Sequence, residues 1–304
     1  MVMTLVEAQK RYQNPLVSGV AETIVTADQF QGLIPLVAIA GNGITFQSEA
    51  TVGNAAFADY NADISATNLS TRDTETVVLT RIIGEATLDK LMQMAHNTGS
   101  AEDLMAAEIR SKAKDITNKV GAGNITGNGT YPNLKGLFAQ VTSGQSLVNA
   151  TSRAVTFDLI DELLDKVDGD KFLVMNSGMF RKIKALYRSF GGITPDYVQL
   201  GGLSLPSYDG KPIFINDNIG VAEAADGSAL TGGTSTSIYC GRFDDGTLKH
   251  GLAVIYPSAS EAGIVVEPVG VHATKDADSV RVKRYLGLGL FNSKGLARLG
   301  SLNK

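Results

Sequence analysis

The chain has 304 residues, enough to bury a sizeable core in one large domain or two smaller ones. With 43% hydrophobic and 19% charged residues it has a globular composition, and a formal net charge of -4 gives it no overall electrostatic drive toward nucleic acid. A single cysteine, Cys240, excludes an internal disulfide, and the longest apolar stretch near the start, Leu33 to Ala40, is too short for a membrane span and contains Pro35.

Residues 1 to about 40 show no compact unit. A short amphipathic start, Leu5 with Ala8 and Tyr12, is stopped by Asn14-Pro15, and the residues beyond it read as an arm lying on another surface. Asn42-Gly43 marks a turn. From Gln47 to Glu75 the residues are mostly Ala, Asn, Asp, Ser and Thr, too poor in large apolar side chains to form a core. The run Thr76 to Ile83 is then rich in β-formers. The pattern predicts a long two-stranded excursion that leaves the body and returns to it.

Helices come next. Leu88, Leu91, Met92 and Ala95 fall on one helical face, and Ser100 with Asp103 resembles a capping box. Met105, Ile109, Ala113, Ile116 and Val120 then form a narrow apolar stripe on a helix about 30 Å long at about 1.5 Å per residue, expected to end at Gly121-Ala122-Gly123. A glycine-rich loop leads to a strand-like segment, Leu134 to Phe138. Phe157, Ile160, Leu164 and Val167 mark a third helix, Phe172 to Met175 a strand, and Met179, Ile183 and Leu186 a fourth helix. Strands are expected at Lys211 to Asn216, Ser237 to Gly241, Gly251 to Tyr256 and Gly263 to Val269. The alternation from Val280 to Leu290, broken at Arg284, reads as the last and clearest strand. The class is α+β.

Chemistry is sparse. His96, His250 and His272 stand at no metal-ligand spacing from one another or from Cys240, so no metal is expected. A Cys240–His250 pair would be the one route to a small cysteine-dependent hydrolase, but a lone cysteine within a strand reads as a small buried hydrophobe. The glycines from Gly121 to Gly129 follow a helix instead of opening one, as a phosphate loop would. Asp161, Glu162, Asp165 and Asp168, and the basic residues Arg181, Lys182, Lys184 and Arg188, read as solvated helix faces. No catalytic residue or cofactor is expected, and the chain is read as a non-enzyme.

The order of parts resembles the major capsid proteins of tailed bacteriophages, the Johnson-type capsid fold. Met3-Thr4-Leu5-Val6-Glu7-Ala8-Gln9-Lys10, Pro15-Leu16-Val17 and Gly19-Val20-Ala21-Glu22-Thr23-Ile24 are similar to that family's N-terminal arm. Gly41 to Phe46 and Val52 to Phe57 resemble the entry to its extended loop, without the proline that relatives usually carry near Val52. Ile125-Thr126-Gly127-Asn128-Gly129 with Gly136-Leu137 resembles its turn after the spine helix, where relatives often have an acidic residue in place of Asn128. Val280 to Ala297 resembles its final strand.

The resemblance implies an N-terminal arm (1–40), an extended loop (41–85), a peripheral domain (86–150 with 262–304) and an axial domain (151–261) clustered at five- and six-fold axes. It implies a virion protein, assembled in the host bacterial cytoplasm with copies of itself as pentamers and hexamers around double-stranded DNA, without sequence-specific contact and without a membrane. A separate scaffolding protein, or a segment already removed, is expected because the chain opens on the arm. A portal and a decoration protein are further expected partners. A hairpin without a core gains stability by lying across a neighbour, so Phe57 and Tyr60 are the expected aromatic contacts and Arg72, Asp73 and Glu75 the expected charged ones. Some relatives join a loop lysine to a neighbour's asparagine, whereas no lysine lies between Gly41 and Arg81 here. An encapsulin-type nanocompartment shares the fold; the wording of the arm, and the tendency of encapsulins to be shorter, favour the phage reading.

Overall fold

The computed structural model describes residues 29–51, 55, 57, 59–61, 70–96, 104–191, 195–200, 202–259 and 263–304. The first 28 residues of the arm expected over residues 1–40, and the capping box expected at Ser100 and Asp103, lie outside them, while Phe30, Ile34 and Ile39 of that segment are buried in the body.

Two sheets and a projecting hairpin organise the chain, which is α+β as expected. The larger sheet has seven strands in the order β5 (Ser146–Leu147), β14 (Leu296–Asn303), β10 (Ser235–Gly241), β6 (Phe172–Met175), β9 (Lys211–Ile215), β8 (Leu203–Tyr208) and β7 (Asp196–Leu200). β6 and β9 are parallel and are joined through α6 (Ser177–Ser189), as a parallel pair requires a crossover. Strand alternation divides this sheet between two cores. Leu173, Met175, Ile213, Ile238, Cys240 and Leu299 face α6 and α5 (Phe157–Asp165), while Phe172, Val174, Phe214, Tyr239 and Leu296 face the rest of the molecule. Both helices begin on polar caps: Thr156 Oγ1 accepts from the Leu159 N–H at 3.3 Å, and Asn176 Oδ1 from the Met179 N–H at 2.7 Å.

The five-stranded sheet is built on β13 (Ala277–Leu290). Its first ten residues pair with β4 (Thr80–Asp89), Asp278 to Lys283 also pair with β12 (Val265–Val271), and Gly287 to Leu290 pair with β11 (Leu252–Pro257), which carries β1 (Leu36–Ile39) on its far side. The long helix α3 (Leu104–Thr126) packs across β4 and β13 and buries Ile116, Val120 and Ile125. Phe30, from α1 (Gln29–Leu33), plugs the junction between the sheets against Phe172 and Phe214, with centroids 5.6 and 5.9 Å away. Sheet membership crosses the segment boundaries expected from the sequence. β11 of segment 151–261 sits with β13, whereas β5 and β14, of segments 86–150 and 262–304, sit with β10.

Four local expectations are corrected. Leu88 is not on a helix: it ends β4, fully buried, because pairing with β13 runs through Asp89 opposite Ala277. The helix α2 (Lys90–His96) starts only afterwards and leaves Leu91 exposed. The long helix does not stop at Gly121-Ala122-Gly123 but continues to Thr126. Those glycines serve close approach: a Cβ on Gly123 would lie 3.0 Å from Leu134 Cδ1, and one on Gly127 2.3 Å from the Leu134 carbonyl oxygen. The strand-like segment after that loop is instead the short helix α4 (Leu137–Gln140). Finally, β13 is not the last strand, since β14 follows it and joins the other sheet.

Candidate inter-subunit surface

The projecting hairpin is β2 (Gly43–Thr51) with β3 (Thr71–Val78), paired from Gly43 opposite Val78 to Thr51 opposite Thr71. Its root is packed on the body. Ile44, Phe46 and Val77 pack on Ile39, Leu79, Ala253, Ile255 and Phe291, with the Phe46 and Phe291 centroids 5.0 Å apart. The Leu79 N–H closes the base onto the Asn42 carbonyl at 2.9 Å. Above the root, Thr71 to Thr76 are all exposed, which matches a segment with no large apolar side chain to bury. The hairpin's own pairing continues there, through its backbone ladder and a 3.0 Å hydroxyl contact between Thr45 and Thr76.

The expected contact residues are placed unequally. Arg72, Asp73 and Glu75 share β3, with Arg72 opposite Glu49 and Asp73 opposite Ser48 in the register. Glu75 already has a partner in its own chain, Lys135 Nζ at 3.8 Å, so it braces the hairpin against the loop after α3. Arg72 and Asp73 make no ion pair among the described residues. Phe57 and Tyr60 are almost completely exposed, two large aromatic side chains that bury almost none of their surface. Aromatic side chains are over-represented among interface anchors, the role expected of these two. The sequence reading missed further exposed apolar residues, Val266, Val269 and Val271 on the edge strand β12 and Leu91 and Met94 on α2, because each is locally part of a plausible core pattern.

Catalytic chemistry fares poorly in this geometry. Cys240 is buried among Ile238, Ala297 and Leu299, and burial pushes its thiol up to about 12, far from a thiolate. His250 is absent from that cluster; it sits half-exposed in a loop, with Nε2 3.8 Å from Asp245. Among the described residues no group of three His, Cys, Asp or Glu side chains could hold a metal, and no helix is long and apolar enough to cross a membrane.

Two buried acids are tied into the body of the chain. Glu223 accepts from Arg298 Nη2 at 2.9 Å and from the Ser237 hydroxyl, and Arg298 also donates to Ser237 Oγ at 2.9 Å and to the Gly227 carbonyl at 2.8 Å. Asp244 accepts from the backbone N–H groups of Gly246, Leu248, Lys249 and His250 at 2.8–3.0 Å. Burial alone would raise its pKa; these hydrogen bonds outweigh that and hold it below the usual carboxylate range. They also fix Leu248 at φ +58°, from where it packs beside Ile44, Phe46 and Val77 at the hairpin root.

No protein-family model matches this chain, and no curated protein matches it. Solved structures do match, along almost the whole length. The SrpI encapsulin of Synechococcus elongatus aligns with TM-score 0.71 and 16% identity, covering 100% of this chain and 97% of that one. The capsid of cyanophage A-1(L) aligns with TM-score 0.67 and 12% identity over 94% and 95% of the two chains. The capsid of a native GTA particle gives 0.66 and 12% over 92% and 91%. At identities this low the likeness is one of fold, and the fold is that of phage capsid and encapsulin shells: this chain has the Johnson-type capsid fold.

Proposed function

We propose that the chain is the major capsid protein of a tailed phage, and that copies of it assemble as pentamers and hexamers into a head shell around double-stranded DNA. The observation that carries this reading is the hairpin: a projection of ordered strands with exposed flanks, rooted in the body at one end, with Phe57 and Tyr60 bare beyond it. Such an element has a use only when something covers it. The capsids and the encapsulin of similar fold are shells, which supports a second copy as the cover. In this reading the unit around the seven-stranded sheet is the axial domain, and α3 with the five-stranded sheet is the peripheral domain. Scaffolding, portal and decoration proteins belong to the same proposal, as does a role as a structural protein and not an enzyme.

The encapsulin reading is favoured by one observation, the TM-score of 0.71 over 97% of the SrpI chain. It also corrects the argument from length, because an encapsulin subunit can match this chain end to end. Electron microscopy of purified particles separates the two. Head-sized shells holding nuclease-protected DNA are expected; small uniform cages filled with protein would favour the nanocompartment. A monomer at every concentration and salt tested would contradict both.

A further inference from the structure

Two helices on one face of the seven-stranded sheet carry opposite charge. α5 exposes Asp158, Glu162 and Asp165, at i, i+4 and i+7, and contains no basic residue. α6 exposes Arg181 and Arg188 with the half-buried Lys184 between them, at i, i+3 and i+7, and contains no acidic residue. Ile160, Leu163 and Leu164 of α5 and Met179, Phe180 and Ile183 of α6 enter the same buried cluster. The two charged stripes therefore look out from one side of this unit.

A merely solvated helix mixes its signs. α3 does so, with Glu108–Lys112 at 3.8 Å and Asp115–Lys119 at 3.2 Å. α5 and α6 keep their signs apart, so like charges repel along each stripe. Among the described residues none of these six side chains makes an ion pair, and Lys184 is stationed instead over the Phe180 ring at 4.3 Å. The helix dipole accounts for Asp158 in the first turn of α5 and Arg188 in the last turn of α6. It opposes Asp165 at the end of α5 and does not reach Arg181, which lies past the first turn of α6. Those charges therefore answer to something outside their own helix.

One chain carrying two complementary patches fits a head-to-tail contact, in which one surface meets a different surface of the next copy and the rotation closes a ring. We propose that the acidic stripe of α5 on one copy docks on the basic stripe of α6 on the next copy around a ring. This rests on the shell reading above and gives it a specific contact. A two-fold contact can also set α5 of each copy against α6 of the other, so a discrete dimer in place of rings or shells would overturn the proposal.

The test uses full-length chains with reversed stripes: Asp158→Lys with Glu162→Lys and Asp165→Lys; Arg181→Glu with Lys184→Glu and Arg188→Glu; and all six changes together. Melting and circular dichroism establish that each chain is folded, and sedimentation measures assembly. Each single-stripe reversal should cut shell yield by about tenfold or more at about 0.1 M salt, and reversing both stripes should restore it to within about twofold of the unaltered chain. Mixing the two single-stripe chains gives a sharper result. One then has two basic stripes and the other two acidic ones, so they pair only in alternation. Alternation closes a six-membered ring but not a five-membered one, so sheets or tubes are expected in place of closed shells. Should a reversed chain not fold, the milder Arg181→Gln, Lys184→Gln, Arg188→Gln chain should assemble less and lose the salt dependence of assembly. Wild-type yield from either single-stripe reversal would overturn the proposal. So would folded six-residue variants that fail to assemble, or an unchanged salt dependence in the Gln chain. An unaltered chain that never assembles would instead sink the shell reading itself.

Discussion

β10 and β3 are strands of similar length with opposite fates. Every residue of β10 is buried; the strand pairs with β14 along most of its length and, from Tyr239 to Gly241, with β6 on its other side. β3 has one partner strand, and all but its last few residues face solvent. The sequences explain the contrast. Ser-Thr-Ser-Ile-Tyr-Cys-Gly has small and apolar side chains that fit between two layers, while Thr-Arg-Asp-Thr-Glu-Thr offers nothing to bury. Apolar burial contributes roughly 25 cal/mol per Å², so one region stabilises the subunit and the other adds almost nothing until it meets a second surface. In the proposed reading the body is built to fold, and the hairpin to wait for a neighbour.

This contrast can be broken in stages. The largest expected loss comes from Arg298→Ala, which leaves the Glu223 carboxylate buried without its cation and should cost about 3–5 kcal/mol in urea unfolding. Leu299→Ala, in the core beneath α5 and α6, should cost about 2–5 kcal/mol. Asp244→Asn should cost roughly 1–3 kcal/mol at neutral pH by weakening the bonds to the 246–250 amides. The sign of its pH dependence is that of a depressed carboxyl. The stabilisation is present above the ordinary carboxylate value, about 4, and is lost as pH falls below it, so the gap between Asp244→Asn and the unaltered chain should close in acid. A gap that widened in acid would contradict the role given to those amides.

At the other extreme, Phe57→Ala with Tyr60→Ala should leave subunit stability within about 0.5 kcal/mol, because both rings are almost completely exposed. The same pair should weaken assembly by roughly 2 kcal/mol or more per contact. A drop in melting temperature without loss of assembly would reverse the reading of these rings. The smallest effect concerns covalent chemistry. With no lysine between Gly41 and Arg81, boiled and denatured particles should run as a single monomer band. A ladder of covalent multimers would show that another lysine takes that part.

Much of this was legible in the residues. The coreless run from Gln47 to Glu75 announced the hairpin, and the apolar stripe from Met105 to Val120 announced the long helix. Where the reading failed, a distant contact decided the local structure. Gly121-Ala122-Gly123 looks like a helix stop until Leu134 is seen pressed against Gly123. Leu88 fits a helical face and a strand equally well, and only β13 chooses between them. The hairpin of β7 and β8 went unread because both strands lie at the sheet margin and Pro206 interrupts the pattern. β14 has no local mark of its sheet; its place is set by β10. In the candidate site, Phe57, Tyr60, Arg72 and Asp73 were legible as residues with nothing to pack on, but the Lys135 partner of Glu75 was not, since it arrives from a loop 60 positions away. The charges of α5 and α6 were visible, yet only the shared face gives their segregation a meaning.

The central claim is that the hairpin serves assembly and not folding. It is tested most directly by replacing residues 50–74 with a short Gly-Ser turn, a change in closure entropy of only about 0.6 kcal/mol per doubling of length. Melting and circular dichroism of the shortened chain should match those of the full chain, and sedimentation should find subunits without shells. A shortened chain that folds and still builds shells at wild-type yield would contradict the account.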